Sequence, residues 1–311
     1  MVQTEDASGY GAMNPPRRAG PSEAARRGAV AYLVRSLATG ESRAPHTGAL
    51  NYQADAPKIP AAALSVVDAE LLERMAAHGE PVRIRLRLAS TSGPATAWNV
   101  VGDIPGTGSE MIVVGGHLDS WDPGQGAIDD GAGMAITVAA ARLAGAQARP
   151  ARTLRVVLYG AEEPEFSQLA SEAYAAAHGA EAPRVAAVGE SDAGADRVWS
   201  LQLPSGALAK PEMKTLAAVL APLAINVSPQ AAAGSGSDTE AMVKLGAPPV
   251  SFRQDASRYF DWHHSAEDTL DKVDRAQLNQ NVAAWAALLY IVANSAVDLH
   301  PAPAAAAAPA R

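Results

Sequence analysis

From Trp98 onward the chain repeats one rhythm: a short apolar run, a polar loop, then a stretch with helical spacing. Runs at 99–104, 111–114, 154–159, 185–189, 198–203 and 250–252 predict strands. Stretches at 134–143, 167–178, 211–223, 239–245 and 276–297 predict helices, with Gly179 and Gly246 as stops for two of them. Units alternating in this way predict an α/β fold with a mostly parallel central sheet covered by helices on both faces. Before Trp98 the pattern is less regular. Residues 1–20 are polar, rich in Gly and Pro, and without periodicity. Pro21-Ser22 predicts a helix running through Leu37, with Gly40 as its stop and Ala29, Leu33 and Leu37 on one face. Residues 44–52 read as loop and 59–64 as a short apolar run. Ser65 is placed to cap a second helix with Leu71, Leu72 and Met75 on its inner face, ended by Gly79-Glu80-Pro81. Residues 82–88, VRIRLRL, alternate strictly and predict a half-exposed strand with Arg83, Arg85 and Arg87 on its wet face. The loop 90–97 is the predicted boundary between a small N-terminal unit and the main domain. The tail 301–311, PAPAAAAAPAR, is low-complexity and is expected to be disordered.

Composition narrows the chemistry. The 25 basic and 33 acidic residues give a formal charge of −8 with no basic run, which argues against a nucleic-acid or membrane-surface partner. There is no cysteine, which excludes disulfides, thiolate metal sites and a cysteine nucleophile. The apolar run 282–297 is broken by Asn294 and Ser295 and is too short for a membrane span. The start, MVQTEDASGYG, has no basic-then-apolar pattern, so no signal peptide is expected in this chain.

The polar groups that could do chemistry gather at strand ends. The run 111–114 leads into GGHLDSWDPGQGAIDDGAG, which delivers His117, Asp119 and Asp129 just before an Ala-rich helix. The next strand ends in Gly160-Ala161-Glu162-Glu163, and the one after in Glu190-Ser191-Asp192. The loop after 250–252 carries His263 and His264, and Asp238 sits where it would cap the helix that follows. Open α/β sheets place ligands at the carboxyl ends of their strands. Each group alone has an ordinary reading as a turn, a cap or a solvated pair. Together they are too many for a core, where unpaired polar groups cost about 2–7 kcal/mol each. Imidazoles and carboxylates without thiolate suit zinc. Five such ligands fit two metals roughly 3.5–4 Å apart that share a carboxylate. Adjacent Glu162 and Glu163 leave the backbone in different directions, so that one could ligate while the other handles a proton.

These motifs, GGHLDSWDPGQGAIDDGAG, AEE, ESDAG and HHSAEDTLDKVD, resemble the two-zinc exopeptidases of the bacterial leucyl aminopeptidase type, and within them the carboxypeptidase Q branch. The resemblance runs over nearly the whole chain. It implies the zinc exopeptidase fold for residues 91–300, preceded in residues 1–90 by part of a protease-associated domain with a linker. Carried over, Asp129 would bridge two zinc ions, His117 and Asp192 would complete one site, and Glu163 and His264 the other. Glu162 would be the general base, Asp119 would orient His117, and His263 would be an oxyanion donor. The resemblance also implies a cis peptide at Asp129–Asp130, a short peptide substrate, a homodimer, and a secreted or periplasmic location. Two departures stand out. The family's Gly-rich turn after the AEE motif is Pro164-Glu165-Phe166-Ser167 here, and the chain starts inside the protease-associated domain, as an N-terminally truncated member would. Two rival readings follow: a non-catalytic fragment or interaction protein on the same fold, and a related zinc amidohydrolase acting on acyl-amino acids.

Overall fold

The computed structural model describes residues 10–91, 93–146, 149–163 and 168–301. The 164–167 turn, the predicted helix start at Ser167 and all of the tail beyond Pro301 fall outside these residues.

The N-terminal unit departs most from expectation. A helix, α1, spans Tyr10–Arg26 and begins inside the stretch that lacks periodicity. Its buried residues are Asn14, Arg17, Pro21 and Ser22, so its inner face is largely polar and leaves no apolar signature. Pro15, Pro16 and Pro21 remove amide donors within it. Outside groups serve some of its carbonyls: Tyr32 Oη donates to Pro16 O at 2.9 Å and Asn51 N to Arg18 O at 3.0 Å. The helix stops ahead of Gly28, whose φ of +86° suits glycine alone among common residues. The predicted helix 21–37 is thereby corrected. Its second half is a strand, β1 (Tyr32–Arg35), paired in parallel with β2 (Ala61–Leu64). A Tyr-Leu-Val run next to a partner strand favours the extended form over helix continuation.

Helix α2 spans Val66–Ala77, and Ser65 caps it as expected, with its Oγ accepting from Asp68 N at 3.1 Å. Its expected inner face does not form: Leu71 is 40% exposed, Met75 is 45% exposed, and Val66 is the buried residue. The predicted strand 82–88 is also absent. Ile84 and Leu88 are 55% and 48% exposed, and no described strand pairs with the segment. Alternation creates a strand only when an edge is available to receive it.

The main domain follows the predicted order with boundaries shifted by a few residues. It comprises β3 (Val100–Ile104), β4 (Met111–His117), a helical turn at Ala127–Gly131, α3 (Ala132–Ala146), β5 (Thr153–Tyr159) and α4 (Leu169–His178). Next come β6 (Val185–Glu190), β7 (Val198–Gln202), α5 (Pro211–Leu220) and β8 (Asn226–Val227). Short α6 (Glu240–Lys244), β9 (Ser251–Gln254), short α7 (Tyr259–Trp262) and long α8 (Arg275–Ala293) complete it. One sheet has the order β3-β5-β4-β6, parallel except for β3 at its edge; the other has the order β8-β7-β9. A parallel bridge between Val188 and Pro249 joins them.

Every residue of β4 is buried, as a central strand covered on both faces requires. On one face Ile112, Val114 and Leu154 pack with Ile136 of α3 and with Trp285 and Leu288 of α8. On the other, Val113, Val157 and Tyr159 meet Tyr174 of α4 and Met242 of α6. Burial of each such large side chain contributes about 1.5–3 kcal/mol. Among the described residues no helix is long and apolar enough to cross a membrane.

Edge strand β3 is tied down by charge. Arg155 of β5 donates to both oxygens of Asp103 at 2.8 and 2.9 Å and to Glu181 at 2.7 Å. Arg155→Met is expected to destabilise the fold by about 1–2 kcal/mol, discounted for the partial exposure of the carboxylates. The Arg155 hydrogen bonds hold the Asp103 pKa below its ordinary value. That contribution is present above the ordinary aspartate pKa and is lost as pH falls through the lowered one. Urea denaturation should show the deficit at pH 7 and a smaller one near pH 3; an equal deficit at both would contradict this account.

Candidate metal centre

His117 is the last residue of β4, and its ring is held by the main chain. Its Nδ1 lies 2.8 Å from the carbonyl of Asp119, which leaves Nε2 facing Asp129 Oδ1 at 3.0 Å and Asp192 Oδ1 at 3.6 Å. Asp119 thus orients His117 through its main chain, and its carboxylate, 3.7 Å from the ring, is engaged elsewhere. It accepts from Glu162 N and Glu163 N at 3.1 Å, fixing the turn after β5.

The peptide between Asp129 and Asp130 is cis. The two carboxylates part there. Asp130 accepts from His117 N and Gly133 N, both at 3.1 Å, and joins the end of β4 to the start of α3. A Cβ at Gly133 would lie 1.8 Å from Ser191 O, so the close approach of α3 to the end of β6 requires a residue without one. Asp129 faces the other way, buried and 4% exposed. Its Oδ2 lies 3.2 Å from His264 Nε2 and 3.5 Å from His263 Nε2.

Asp268 sets Asp129 in place. It accepts from Ile128 N at 2.6 Å and Asp129 N at 3.1 Å. Asp268 lies within the HHSAEDTLDKVD motif, where nothing in the sequence marks it as the acceptor for these amides. Asp268→Ala leaves two buried amides without an acceptor, at about 1–3 kcal/mol each. The variant is expected to melt lower and to bind a divalent cation at least about tenfold more weakly, with Asp268→Asn recovering part of both losses. Calorimetric cation titration at matched folded fraction checks this, and unchanged affinity in Asp268→Ala would refute it.

Glu163 Oε2 receives Trp121 Nε1 at 2.6 Å and lies 3.1 Å from His264 Nε2. Glu162 turns aside and accepts from Ser237 Oγ at 2.7 Å. His264 has a φ of +60°, uncommon for a non-glycine residue and a mark of a position determined by its surroundings. Those surroundings include Thr47 of the N-terminal unit. Thr47 N and Oγ1 donate to His264 O at 2.8 and 3.1 Å, and Thr47 O lies 3.2 Å from His264 Nδ1. Nothing in the 44–52 loop signals that partnership. His263 stacks on His264 with ring centroids 3.5 Å apart, and its buried Nδ1 has no partner. Asp129, His263 and His264 are also close enough to hold one cation among them. Asp238 does not cap α6; it lines the cavity with its Oδ2 unpartnered.

The electrostatics are opposed and dense. Burial raises the Asp192 pKa to about 6 although His117 pulls it down. Burial also raises Glu162, against the opposing effects of His117 and the Ser237 hydroxyl. For His264 burial alone would lower the pKa, but Asp129 and Glu163 lift it to about 9. Burial, His264 and Arg17 hold His263 well below the ordinary imidazole value, so it is neutral. Four buried carboxylate oxygens, Asp129 Oδ2, Glu163 Oε1, Asp192 Oδ1 and Asp238 Oδ2, have no hydrogen-bond partner among the described residues. Buried acceptors in that state are satisfied by a cation, and the set of imidazoles and carboxylates fits a divalent one.

The side chains face a cavity of about 410 Å³ that is also lined by Tyr10, Arg17, Arg18 and Ala49 of the N-terminal unit.

Comparison with known proteins agrees with this architecture. The sequence profile of peptidase family M28 matches residues 99–289. Carboxypeptidase Q of Mus musculus is 38% identical over 298 residues, covering 94% of this chain and 63% of that protein. Carboxypeptidase Q of Homo sapiens is 39% identical over 282 residues, 89% of this chain and 59% of that protein. The chain therefore spans about 60% of the length of these relatives. The crystal structure of a peptidase M28 precursor from Shewanella amazonensis SB2B superposes with a TM-score of 0.87 at 37% identity, over 97% of this chain and 68% of that one. A zinc aminopeptidase from Bacillus subtilis shares the fold at 18% identity, with a TM-score of 0.59 over 87% of this chain and 65% of that one.

Proposed function

The chain belongs to peptidase family M28, and on that premise we propose that it is a metallo-exopeptidase hydrolysing dipeptides or terminal residues of short peptides, with two zinc ions held around Asp129. The observation that carries this reading is the placement of the two Asp129 oxygens. One faces His117 at 3.0 Å and the other faces His264 at 3.2 Å, so a single carboxylate serves two ligand groups. His117 and Asp192 would hold one ion with Asp129, and Glu163 and His264 the other.

Zinc in such a site supplies Lewis acidity, lowering the pKa of water and polarising a carbonyl. The remaining work belongs to the chain. Glu162 is half-buried, bonded to Ser237, and raised in pKa by burial, which brings its proton affinity toward the working range of a general base. It takes a proton from the attacking water and gives it to the nitrogen of the departing amine. The Ser237 hydroxyl holds Glu162 in orientation. His263, neutral and buried, has one N–H to offer the oxygen on which negative charge develops.

The test is metal content with a substrate panel. Elemental analysis should find about two zincs per chain, as a two-metal site requires. Free dipeptides should be hydrolysed faster than acyl-amino acids. Folded protein that zinc cannot load would remove the hydrolytic reading, and faster deacylation would transfer the site to amidohydrolase chemistry.

A further inference from the structure

The two halves of the centre are supported by different parts of the chain. His117 closes β4, and its ring is held from two residues away by Asp119 O at 2.8 Å. Asp192 follows β6, which pairs with β4 in the sheet. Both lie inside the stretch 99–289 that the family profile matches. His264 lies inside it too, but no strand carries it. It sits in the turn after α7, and the residue that holds both its carbonyl and its Nδ1 is Thr47, outside that stretch.

Residues 39–47 cross this turn as a strap. Thr39 N donates to Phe260 O at 3.1 Å, and Thr39 Oγ1 donates to Asp261 Oδ1 at 2.8 Å. A Cβ at Gly40 would lie 3.2 Å from Asp261 Cα, so the two backbones meet closely there. Ser42 Oγ donates to Glu267 Oε1 at 3.2 Å, on the other side of the histidines. His46 is 4% exposed, and its N–H donates to Ser36 Oγ at 2.9 Å, just beyond the end of β1. Ser36 Oγ in turn donates to Leu64 O of β2 at 2.6 Å. The strap is thus anchored in the small β1–β2 sheet and grips the turn on both flanks of His264.

Thr47 does more than hold the main chain. Its carbonyl, 3.2 Å from His264 Nδ1, assigns the proton of the neutral ring to that nitrogen. The lone pair of Nε2 is left toward Asp129 Oδ2 at 3.2 Å and Glu163 Oε2 at 3.1 Å. A ligating imidazole needs that tautomer and that ring direction. The φ of +60° at His264 persists only because its surroundings over-determine it, and Thr47 is among them. We propose that Thr47 is a positioning residue for a divalent cation: through His264 it sets the affinity of the Glu163–His264 half of the centre, while the His117–Asp192 half binds independently of it. This rests on the two-metal reading above and divides its sites by what supports them. The N-terminal unit is then a determinant of metal occupancy. By linkage, the cation tightens the strap on the turn by as much as the strap tightens the hold on the cation.

The experiment titrates zinc into the metal-free protein by calorimetry and assigns each step with variants of single ligands. His264→Ala should abolish one step and His117→Ala the other. Thr47→Val keeps the shape of the side chain and removes its hydroxyl. It should weaken the His264 step at least about tenfold, the usual effect of losing a group that holds a metal-bound histidine, and leave the His117 step within about threefold. Thr47→Ser restores the hydroxyl and should recover most of the loss. A general loosening of the fold would weaken both steps, so the split between them isolates the positioning role. An unchanged His264 step in Thr47→Val, or equal weakening of both steps, overturns the proposal. If Thr47→Val does not fold, Thr39→Val decides. Loss of one hydrogen bond of the strap should weaken the His264 step alone by about two- to tenfold, and no change there overturns the proposal. A wild type that takes up one zinc in a single step would reject the two-metal reading. The role of Thr47 then holds if Thr47→Val weakens that step and Thr47→Ser does not, and falls otherwise. No uptake at all by the folded wild type overturns both.

Discussion

Glu162→Gln is expected to lower kcat on dipeptides by roughly 10²–10⁴-fold, the usual worth of a positioned general acid–base group, while zinc content stays at the parental value. The expectation rests on how two adjacent glutamates diverge. Asp119 fixes the amides of both, so the turn is rigid before either side chain departs. Glu163 then goes to Trp121 and His264, and Glu162 to Ser237. An amide at Glu162 can still accept from Ser237, so the local fold survives, but it cannot carry a proton between water and the leaving nitrogen. Glu163→Gln should behave in the opposite order, losing zinc first and activity as a consequence. Loss of zinc in Glu162→Gln would reassign that residue as a ligand, and hydrolysis at the parental rate would remove it from the mechanism. The acid limb of the pH–rate profile carries a second signature. Burial raises the Glu162 pKa, and a base works only when ionised, so activity rises with pH through that pKa. The Gln variant should lack that limb in its residual rate.

Removing zinc should lower the melting temperature by about 10 °C at pH 8 and by far less at pH 5. The first figure follows from ligation at about 1,000-fold excess over Kd, worth about 4 kcal/mol, and from about 2–4 °C per kcal/mol in a domain of this size. The pH dependence follows from the metal-free carboxylates. Burial raises Asp192 to about 6, and raises Asp130, Glu190 and Asp238 well above their ordinary values. Between the unfolded and the folded pKa the folded chain holds protons that the unfolded chain has released. Stability from these acids is therefore greatest below the ordinary carboxylate value and declines as pH rises to the folded one. His264 acts in the same direction higher up: raised to about 9, it contributes fully below the ordinary imidazole pKa and loses that contribution through pH 9. Asp129 opposes them at the acid end. Burial alone would raise its pKa, but His117 and His264 hold it well below the ordinary value, and its contribution fades as pH falls through that value. Metal-free protein thus weakens toward alkali, where deprotonated ligands bind zinc best. Scanning calorimetry with and without chelator across pH 5–8 checks the sign, and a gap that widened toward acid would contradict it.

Legibility in the sequence differs by kind of residue. The sheet was readable because β4 is an unbroken apolar run and α3 and α8 are long apolar stretches that begin after clear turns. Glu162, Glu163 and Asp192 were readable because they follow directly on strand ends, where a parallel sheet puts its chemistry. Helix α1 was not, because its inner face is made of Asn14, Arg17 and Ser22 and its signal is tertiary hydrogen bonding. The alternating segment 82–88 misled for the converse reason: period two records what a strand needs and not whether a neighbour exists. Thr47 was invisible, since a threonine in an irregular loop carries no mark of the histidine it clamps across a separation of 217 residues. For Asp119 the sequence pointed to the residue that holds His117 but not to the atom, because spacing cannot tell a main-chain carbonyl from a carboxylate.

The clamp of His264 by Thr47 and the hold of Asp268 on Asp129 have a consequence for the timing of assembly. Their partners are separated by 217 and 139 residues, so both loops close only after nearly the whole domain has been made. Contacts that distant form late, after the entropy of closing long loops has been met by packing elsewhere. During synthesis from the N-terminus the strands bearing His117, Glu163 and Asp192 can pair while the segment bearing His264 and Asp268 is still unmade. Zinc capture by the proposed set of ligands would therefore wait for the segment bearing His264 and Asp268, and occupancy of the centre would report that this segment has docked on the earlier ones.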